Sequence, residues 1–361
     1  MKKIITFIIA IVMIATTLTA CSTAGTPILE YGNSKVTVNM YNYWLSKNKA
    51  MYMSMFTGMQ DTNEFWMTEI AEGLTAETYL GAMALQSVMN TLVCAEMYDQ
   101  LGLKISAEMT EVIDGYIAEL IVELGGGSKS QFNQLASAYG VNDKILKEIY
   151  IFEAKAMELF NYFYGEGGIE PITDAQRDEA YVGNYVKIQH LYINNKYVPV
   201  VDEEGRQVAD ENGSAKVNPM EGDQLAENNA VIAAIDKGIE EGAEYETLWS
   251  EYSEDQYYEN GYYLTSSMQF ITEVLTAAFT MEVGAVQKIE TGIGVHYIKK
   301  YDLDAKAYAD ERNVDFFGDF DTMTAQAVFN KKVSDKITEI TVHEEEVKKY
   351  SIRTVTPNSN F

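Results

Sequence analysis

Cysteine is scarce in this 361-residue sequence, which contains only Cys21 and Cys94. Cys21 directly follows an apolar N-terminal stretch, so Cys94 is the single thiol of the remaining chain and no intramolecular disulfide is expected there. Cys94 lies in the apolar helical stretch 92–95, a setting typical of a buried, unreactive thiol. The hydrophobic core alone must therefore stabilise the fold. With 47% hydrophobic side chains, the chain can bury one large core or two modest ones.

Basic residues and histidines are also few. The chain has 27 Lys and Arg residues against 54 Asp and Glu, a formal net charge of −27, and 3 histidines. Nucleic acids and anionic membrane surfaces select for basic patches, so this composition argues against both as direct partners. The aromatic content of 12% argues against a wholly disordered acidic chain.

Long hydrophobic runs are missing after the N-terminus, where one short run follows two lysines. The run at 4–15 is too short to span a bilayer and is typical of a secretory signal. The ending Leu-Thr-Ala-Cys at 18–21 resembles the lipobox of bacterial lipoproteins. That resemblance implies a signal peptide at 1–20, a lipid (palmitate) on Cys21, and a tether at 21–35 that anchors an extracytoplasmic protein to the bacterial cell membrane. An ordinary cleaved signal with a chance cysteine is the alternative.

Residues 36–183 are predicted to be almost entirely helical. The clearest helix is predicted at 76–101, where apolar residues recur every three or four positions and Gly102 ends the pattern. Alternating strand and helix patterns are absent from this part of the sequence. It therefore lacks the two α/β lobes that a solute-binding lipoprotein would require.

A different pattern begins at residue 184. Residues 184–303 mix strands with helices, starting with a Val-, Ile- and Tyr-rich strand at 185–194. Residues 304–361 contain an amphipathic helix at 322–337 and a strand-like piece at 349–355. The predicted fold class is α+β.

Five segments within 184–303 form an ordered set of motifs. They are Val-Lys-Ile-Gln-His-Leu-Tyr-Ile at 186–193, Gly-Ala-Glu-Tyr-Glu-Thr-Leu at 242–248, Tyr-Ser-Glu-Asp at 252–255, Ala-Ala-Phe-Thr-Met-Glu-Val-Gly at 277–284, and Thr-Gly-Ile-Gly-Val-His-Tyr-Ile-Lys at 291–299. In this order they resemble the parvulin type of peptidyl-prolyl isomerase (rotamase), with an insertion near 195–224. Together with the lipobox and the helical region, they resemble the PrsA foldase lipoproteins and, more distantly, SurA-like chaperones.

The resemblance implies a fold and a set of domains. A mostly helical chaperone-like domain would be formed by 36–183 together with the C-terminal helix and tail of 304–361. A parvulin domain, an antiparallel sheet with flanking helices, would be inserted at 184–303. The implied function is a membrane-anchored, extracytoplasmic folding factor that isomerises prolyl bonds in secreted polypeptides.

The same resemblance implies an active site. The family's catalytic positions fall on His190, Asp255, Thr291 and His296, and its proline-pocket positions fall on Leu264, Phe270, Val274 and Phe279. The two histidines would form a hydrogen-bonded, partly buried and neutral pair on adjacent central strands, supported by Thr291. Val274 replaces a larger aromatic residue of the family, and Tyr262 and Thr265 replace glycines. We therefore expect a shallower proline slot than the family's.

The implied chemistry makes and breaks no bond. Rotation about an Xaa-Pro amide faces a barrier of about 20 kcal/mol, so a catalyst only has to favour the twisted amide over the planar one. An apolar slot and suitably placed polar groups suffice, and neither a metal nor a cofactor is expected.

Less specific interpretations stay open at this point. One alternative is that the paired histidines merely stabilise the sheet, a role that fits active and inactive modules alike. Another is that Asp255 is only a turn residue of an acidic loop. His343 is interpreted as a solvated surface residue. A non-catalytic holdase or scaffold on the same fold is the main alternative function, and a solute-binding lipoprotein is a distant one.

Methionine and aromatic residues are concentrated in the first helical segments, which suits a surface that accepts many partly unfolded secreted chains. Met51, Met53 and Met55 alternate, so one helix face cannot bury all three and at least one should be exposed. Core filling is the alternative and is preferred for Met83 and Met97. A homodimer through the helical domain is compatible with this surface.

Overall fold

The computed structural model describes residues 25–55, 60–209 and 213–361 of a mixed α+β chain. The predicted signal peptide and Cys21 lie outside these residues. The chain divides into two units, one comprising residues up to 171 together with 325–361, and the other comprising 172–324. Among the described residues, no helix is both long enough and apolar enough to cross a membrane.

The first unit is mainly helical. Its elements are β1 (Pro27–Tyr31), β2 (Ser34–Thr37), α1 (Val38–Met55), α2 (Asn63–Met67), β3 (Glu69–Ala71), β4 (Leu74–Thr75), α3 (Ala76–Gln100), α4 (Ala107–Glu123), α5 (Lys129–Ala136) and α6 (Asp143–Tyr164). Side chains of Thr75, Ser106, Ser128 and Asn142 cap the N-termini of α3 to α6 by accepting backbone N–H groups. The predicted helix at 76–101 is therefore present, with its end within one residue of the expected position.

The C-terminal part of the chain, residues 325–361, also belongs to this unit. The elements there are α12 (Phe320–Ile337, of which the part from residue 325 onward belongs to this unit), β11 (Thr341–Val342) and α13 (Glu344–Val347). Phe329, Val333, Val347 and Ile352 are buried in the same core as β1 and α3. Residues 349–355 form turns and irregular backbone, so the strand predicted there is wrong.

Residues 27–37 differ from the predicted tether. Strands β1 and β2 pair as a hairpin, and β11 adds to the other edge of β1 through Leu29 opposite Val342. Ile28, Leu29 and Val36 have no exposed surface. These apolar side chains are stabilised by burial against the helices, so the segment belongs to the core from Pro27 onwards.

Several side chains of this unit bear on earlier expectations. Met51 and Met55 are exposed, as the alternation of methionines predicts, but Met83 is also 44% exposed, so its assignment to the core is wrong. Cys94 is buried, and burial raises the pKa of its thiol to about 12. His343 is only partly exposed, because its Nε2 lies 2.8 Å from Oε1 of Glu30.

The second unit is built on a four-stranded antiparallel sheet. Its elements are α7 (Asp174–Asn184), β5 (Tyr185–Ile193), β6 (Tyr197–Pro199), β7 (Val217–Pro219), α8 (Gly222–Glu240), α9 (Tyr245–Tyr252), β8 (Tyr262–Thr265), α10 (Thr272–Thr280), β9 (Val286–Glu290), β10 (Val295–Tyr301) and α11 (Val314–Phe317). The sheet order is β8-β5-β10-β9, so β5 and β10 are the central strands.

Both faces of this sheet are covered. On one face Leu191, Ile193 and Tyr297 pack with Ile235 of α8 and Leu248 of α9. On the other face, Ile188, Leu264 and Ile298 pack with Val274 and Ala278 of α10. Successive side chains of a strand point to opposite faces, so each central strand contributes to both cores.

The division of the chain falls at other positions than the sequence suggested. The boundaries between the two units lie after residues 171 and 324, whereas the sequence placed them after 183 and 303. The aromatic side chains of Phe317 and Phe320 explain the later boundary, because they pack against Tyr185 at the start of β5.

The insertion near 195–224 is mostly an extended hairpin. Strand β6 pairs with β7, and isolated bridges continue the pairing at Val201 opposite Gln207 and at Ala209 opposite Ala215. Helix α8 begins within the last three residues of the predicted insertion.

Candidate active site

Two histidines lie on the central strands of the four-stranded sheet. In the antiparallel register of β5 and β10, His190 is opposite Ile298 and His296 is opposite Tyr192. Residues 190 and 192 share a face because strand side chains alternate, so the two histidines are diagonal neighbours on the α10 side of the sheet. The rings are nearly parallel and meet edge to edge, with centroids 5.2 Å apart and an interplanar angle of 15°.

The pair is part of a continuous series of hydrogen bonds. Nε2 of His190 lies 2.9 Å from Nδ1 of His296, and Nε2 of His296 lies 2.8 Å from the hydroxyl oxygen of Thr291. Nδ1 of His190 lies 2.6 Å from Oδ2 of Asp255. The structure thus brings together all four side chains at the family's catalytic positions.

A loop between α9 and β8 supplies Asp255. The hydroxyl of Ser253 accepts the backbone N–H of Asp255 at 3.1 Å and donates to its carbonyl oxygen at 2.9 Å. The backbone N–H of Glu254 donates to the carbonyl oxygen of Tyr192. These bonds fasten the loop to β5 and direct the Asp255 carboxylate at His190, so Asp255 does more than close a turn.

His296 is held in its neutral form. It has no exposed surface, and burial, helped by the neighbouring charge of His190, lowers the pKa of His296 to about 4. A neutral imidazole carries one N–H, so at pH 7 one nitrogen of His296 donates and the other accepts.

The ionised carboxylate of Asp255 determines which nitrogen of His190 carries a proton. Burial alone would raise the pKa of Asp255, but hydrogen bonds from His190 and Tyr262 outweigh it and hold the pKa below its ordinary value. An ionised carboxylate only accepts, so Nδ1 of His190 carries a proton. When His190 is neutral, its Nε2 accepts from Nδ1 of His296, and Nε2 of His296 accepts from Thr291. Every donor in the series then points towards Asp255.

The predicted proline-pocket residues fall in one apolar cluster beside the histidines. Leu264 and Val274 have no exposed surface, whereas Phe270 and Phe279 are partly exposed. The ring of Phe270 lies with its centroid 5.9 Å from that of His190. Of the four residues, only Phe270 and Phe279 present surface to a ligand.

Two tyrosines at the site were not predicted as site residues. Tyr192 stacks on His296 with centroids 4.9 Å apart and donates its hydroxyl to the carbonyl oxygen of Ile293 at 2.7 Å. Tyr262 donates its hydroxyl to the Asp255 carboxylate. Strand alternation was the available signal for Tyr192, since it follows His190 by two residues. For Tyr262, the pairing opposite Ile188 was needed, and sequence alone does not give that register.

The described part of the chain contains no group of three or more His, Cys, Asp or Glu side chains arranged to hold a metal ion. Both ring nitrogens of His190 are engaged, one by Asp255 and one by His296. His190 therefore has no nitrogen left to activate a serine or cysteine nucleophile, which distinguishes this series from a hydrolase triad.

No protein-family model matches the chain, and no curated protein matches it. Solved structures do match. PrsA from Bacillus subtilis is 21% identical over 75% of this chain and 84% of that chain, with a TM-score of 0.24. The peptidylprolyl isomerase PrsA from Bacillus cereus is 17% identical over 80% and 97%, with a TM-score of 0.27. PrsA from Bacillus anthracis is 19% identical over 71% and 95%, with a TM-score of 0.24. At these identities and scores, the function has to be argued from the site itself. The PrsA structures nevertheless represent the group of proteins that the sequence motifs resemble.

Proposed function

We propose that the chain is an extracytoplasmic folding factor whose unit at 172–324 is a parvulin-type domain that catalyses peptidyl-prolyl isomerisation. The observation that carries the proposal is the hydrogen-bonded series of Thr291, His296, His190 and Asp255 beside a partly exposed aromatic surface. Polar groups in a fixed geometry next to an apolar surface are what an enzyme needs to distinguish a twisted amide from a planar one.

The geometry suits a reaction without covalent intermediates. Phe270 and Phe279 offer apolar surface to the proline ring, and His190 lies next to Phe270. The histidine pair is almost completely buried, so its hydrogen bonds are stronger than they would be in water and need little reorganisation during bond rotation. Asp255 is the ionised member of the series, and its side chain is 14% exposed, so its carboxylate is accessible to a bound prolyl peptide.

The test is the isomerisation rate of Xaa-Pro tetrapeptides with the chain starting at Ser22. Asp255→Asn should lower kcat/KM by roughly 10- to 150-fold, the rate equivalent of a hydrogen bond to a charged group worth about 1.5–3 kcal/mol.

Asp304→Asn is the matched control for this test. Asp304 also accepts a hydrogen bond from a tyrosine hydroxyl, that of Tyr263, and it pairs with the ammonium group of Lys187 at 2.6 Å. Tyr263 and Lys187 lie on the face of the sheet opposite to the histidines. The control should keep its activity. Equal losses in both variants would reject Asp255 as part of the active site, and no acceleration by folded wild-type protein would reject the isomerase.

A second candidate is a non-catalytic holdase on the same fold. It is favoured by the complete enclosure of Leu264 and Val274 and by the ring of Tyr262, which packs 5.4 Å from Phe270 and narrows the proline slot. A holdase would suppress the aggregation of an unfolded secreted protein while leaving the tetrapeptide rates unchanged.

We place client binding on the helical unit. Its exposed apolar side chains include Met51, Met55, Met67, Ile70, Tyr79 and Met83. Flexible thioethers adapt to many partly unfolded chains. The double variant Met67→Glu and Met83→Glu should reduce aggregation suppression. The double variant Val112→Glu and Val122→Glu on α4, where both side chains are more exposed than the two methionines, should not.

We also propose lipid anchoring through Cys21, on the strength of the Leu-Thr-Ala-Cys motif at 18–21. Expressed in a bacterium, the wild-type chain should incorporate labelled palmitate and sediment with membranes. Cys21→Ser should lose both properties. Retention of the label in this variant would place the lipid elsewhere.

A further inference from the structure

Tyr262 stands in strand β8 where the parvulin pattern has a glycine, and its side chain lies on the histidine face of the sheet. Its hydroxyl lies 2.8 Å from Oδ1 and 2.7 Å from Oδ2 of Asp255, so the donated proton is shared between both carboxylate oxygens. Its ring packs edge-on against His190, with centroids 5.9 Å apart. One side chain therefore contacts both ends of the short hydrogen bond between His190 and Asp255.

The neighbours of Tyr262 fix its ring from the other side. The ring of Tyr258 lies 4.8 Å from it and that of Phe316 lies 6.0 Å from it. Tyr258 donates its own hydroxyl to Asp315 at 3.1 Å, so it does not compete for Asp255. Tyr262 is thus held in an aromatic cluster that leaves its hydroxyl one partner, the catalytic carboxylate.

We propose that Tyr262 is a positioning residue for Asp255, which it keeps ionised and oriented towards Nδ1 of His190. Without its hydroxyl, the carboxylate would retain only His190 and a long backbone contact from Tyr257 at 3.4 Å. The carboxylate could then rotate away from His190, and the bond that fixes the proton on Nδ1 would weaken. This role goes beyond the family pattern, because a glycine at this position has no donor to offer.

The consequence is a pH effect with a defined sign. The groups that face the Asp255 carboxylate are His190 and His296 from the central strands, Tyr262 from β8, and Tyr258 from its own loop. A hydrogen bond to the charged form of an acid lowers its pKa. Removing the Tyr262 hydroxyl should therefore raise the pKa of Asp255, and an activity that needs the ionised carboxylate should be lost at a higher pH.

The test compares Tyr262→Phe with Tyr263→Phe. Both variants remove one hydroxyl that donates to a carboxylate, Asp255 in the first case and Asp304 in the second, and both retain the ring. In the chain starting at Ser22, NMR follows the titration of the ¹³C-labelled Asp255 carboxyl. We expect a higher Asp255 midpoint in Tyr262→Phe only. An unchanged midpoint, or the same change in both variants, would overturn the proposal.

The expected effect of Tyr262→Phe on activity rests on the proposed isomerase, and it can fail while the carboxyl titration succeeds. Tyr262→Phe should lower kcat/KM roughly tenfold, as expected for one lost hydrogen bond to a charged group, and should move the acid limb of the pH profile upward. If wild-type protein lacks isomerase activity, the proposed function fails while the carboxyl titration still decides the role of Tyr262. Should Tyr262→Phe fold poorly, the ¹³Cζ signal of Tyr262 in wild-type protein gives a second reading. This signal should shift as the Asp255 carboxyl takes up its proton, and a constant signal through that step would overturn the proposal.

Discussion

Nε2 of His190 and Nδ1 of His296 lie 2.9 Å apart, on diagonal positions of the two central strands. A bond of this length holds one proton, which belongs to one nitrogen or the other. Nδ1 of His190 is committed to Asp255 at 2.6 Å. The proton between the rings is therefore linked to the charge of His190 and to the hydroxyl of Thr291 at the far end.

Protonation of His190 should reverse the tautomer of His296. In the neutral state Nδ1 of His296 carries the proton. A second proton on His190 turns its Nε2 into a donor, so Nδ1 of His296 must accept and its proton must reside on Nε2, facing Thr291. ¹⁵N NMR of the imidazoles should show both His296 nitrogens exchanging roles whenever His190 carries two protons. Identical His296 shifts in both protonation states of His190 would contradict the linkage.

The buried His296 should make the sheet unit less stable in mild acid. The folded-state pKa of about 4 lies below the ordinary 6.5, so as pH falls through this window the unfolded chain binds a proton that the folded chain does not. Stability is therefore lost between pH 6.5 and 4, at most about 1.4 kcal/mol per pH unit for one proton. Asp255 acts in the same direction at lower pH, since its folded pKa is also lowered.

This stability effect can be isolated with His296→Asn. The free energy of unfolding from urea titrations should depend less steeply on pH in the variant than in wild-type protein between pH 6.5 and 4. Parallel curves would mean that His296 binds its proton equally well in both states.

Thr291 should stabilise the histidine pair through its hydroxyl alone. Thr291→Val keeps the shape but leaves Nε2 of His296 without its partner at 2.8 Å, which should cost about 1–3 kcal/mol of unfolding free energy. Thr291→Ser retains the hydroxyl and should lose less. Urea unfolding followed by tyrosine fluorescence measures both, and equal losses would mean that the methyl group contributes as much as the hydroxyl.

The sequence allowed many local elements to be predicted, together with the grouping of His190, Asp255, Thr291 and His296. Helix 76–101 has a long apolar periodicity and a capping threonine, and its observed bounds agree closely with the prediction. His190 and His296 could be located because the motif order fixes their strands. Tyr262 could not be assigned to Asp255, because that contact depends on the register of β8 against β5, which tertiary packing determines.

The pairing of strands that lie far apart in the sequence could not be predicted either. Strand β1 pairs with β11, so Leu29 lies opposite Val342, and no local pattern links residues that far apart. Residues 349–355 contain alternating apolar side chains typical of a strand, yet Ile352 is buried within a segment of turns. In this segment an apolar side chain is buried in the core although its backbone forms no strand hydrogen bonds.

Gly261, which leads into β8, should tolerate replacement less well than Gly242. Its φ is +84°, and a Cβ atom would overlap the carbonyl oxygen of Ile188 on the neighbouring strand. Gly242 has a similar φ of +77° but open space around the Cβ position. Gly242→Ala should therefore cost about 1 kcal/mol from backbone strain. Gly261→Ala should cost distinctly more and should displace Tyr262. Equal melting temperatures for the two variants would show that the overlap is relieved without cost.

Lys49 should fasten the C-terminal segment to helix α1 within the helical unit. Lys49 is 1% exposed, and its ammonium group lies 2.8 Å from the carbonyl oxygen of Arg353, 2.9 Å from that of Val355 and 2.7 Å from Oδ1 of Asp61. Lys49→Met removes three partners at once. Asp61 is 34% exposed, so the main cost comes from the two carbonyl oxygens left without a donor, and we expect a loss of about 1–3 kcal/mol for each and rapid proteolysis after Arg353.

Lys35→Met is the matched control, because Lys35 is 56% exposed and pairs with Glu30 at 3.0 Å on the surface. A surface ion pair contributes about 0–1 kcal/mol, so this variant should melt close to wild-type protein. If Lys49→Met also melts there and Arg353 stays protected from trypsin, apolar packing of Ile352 and Phe361 must hold the segment without the ammonium group.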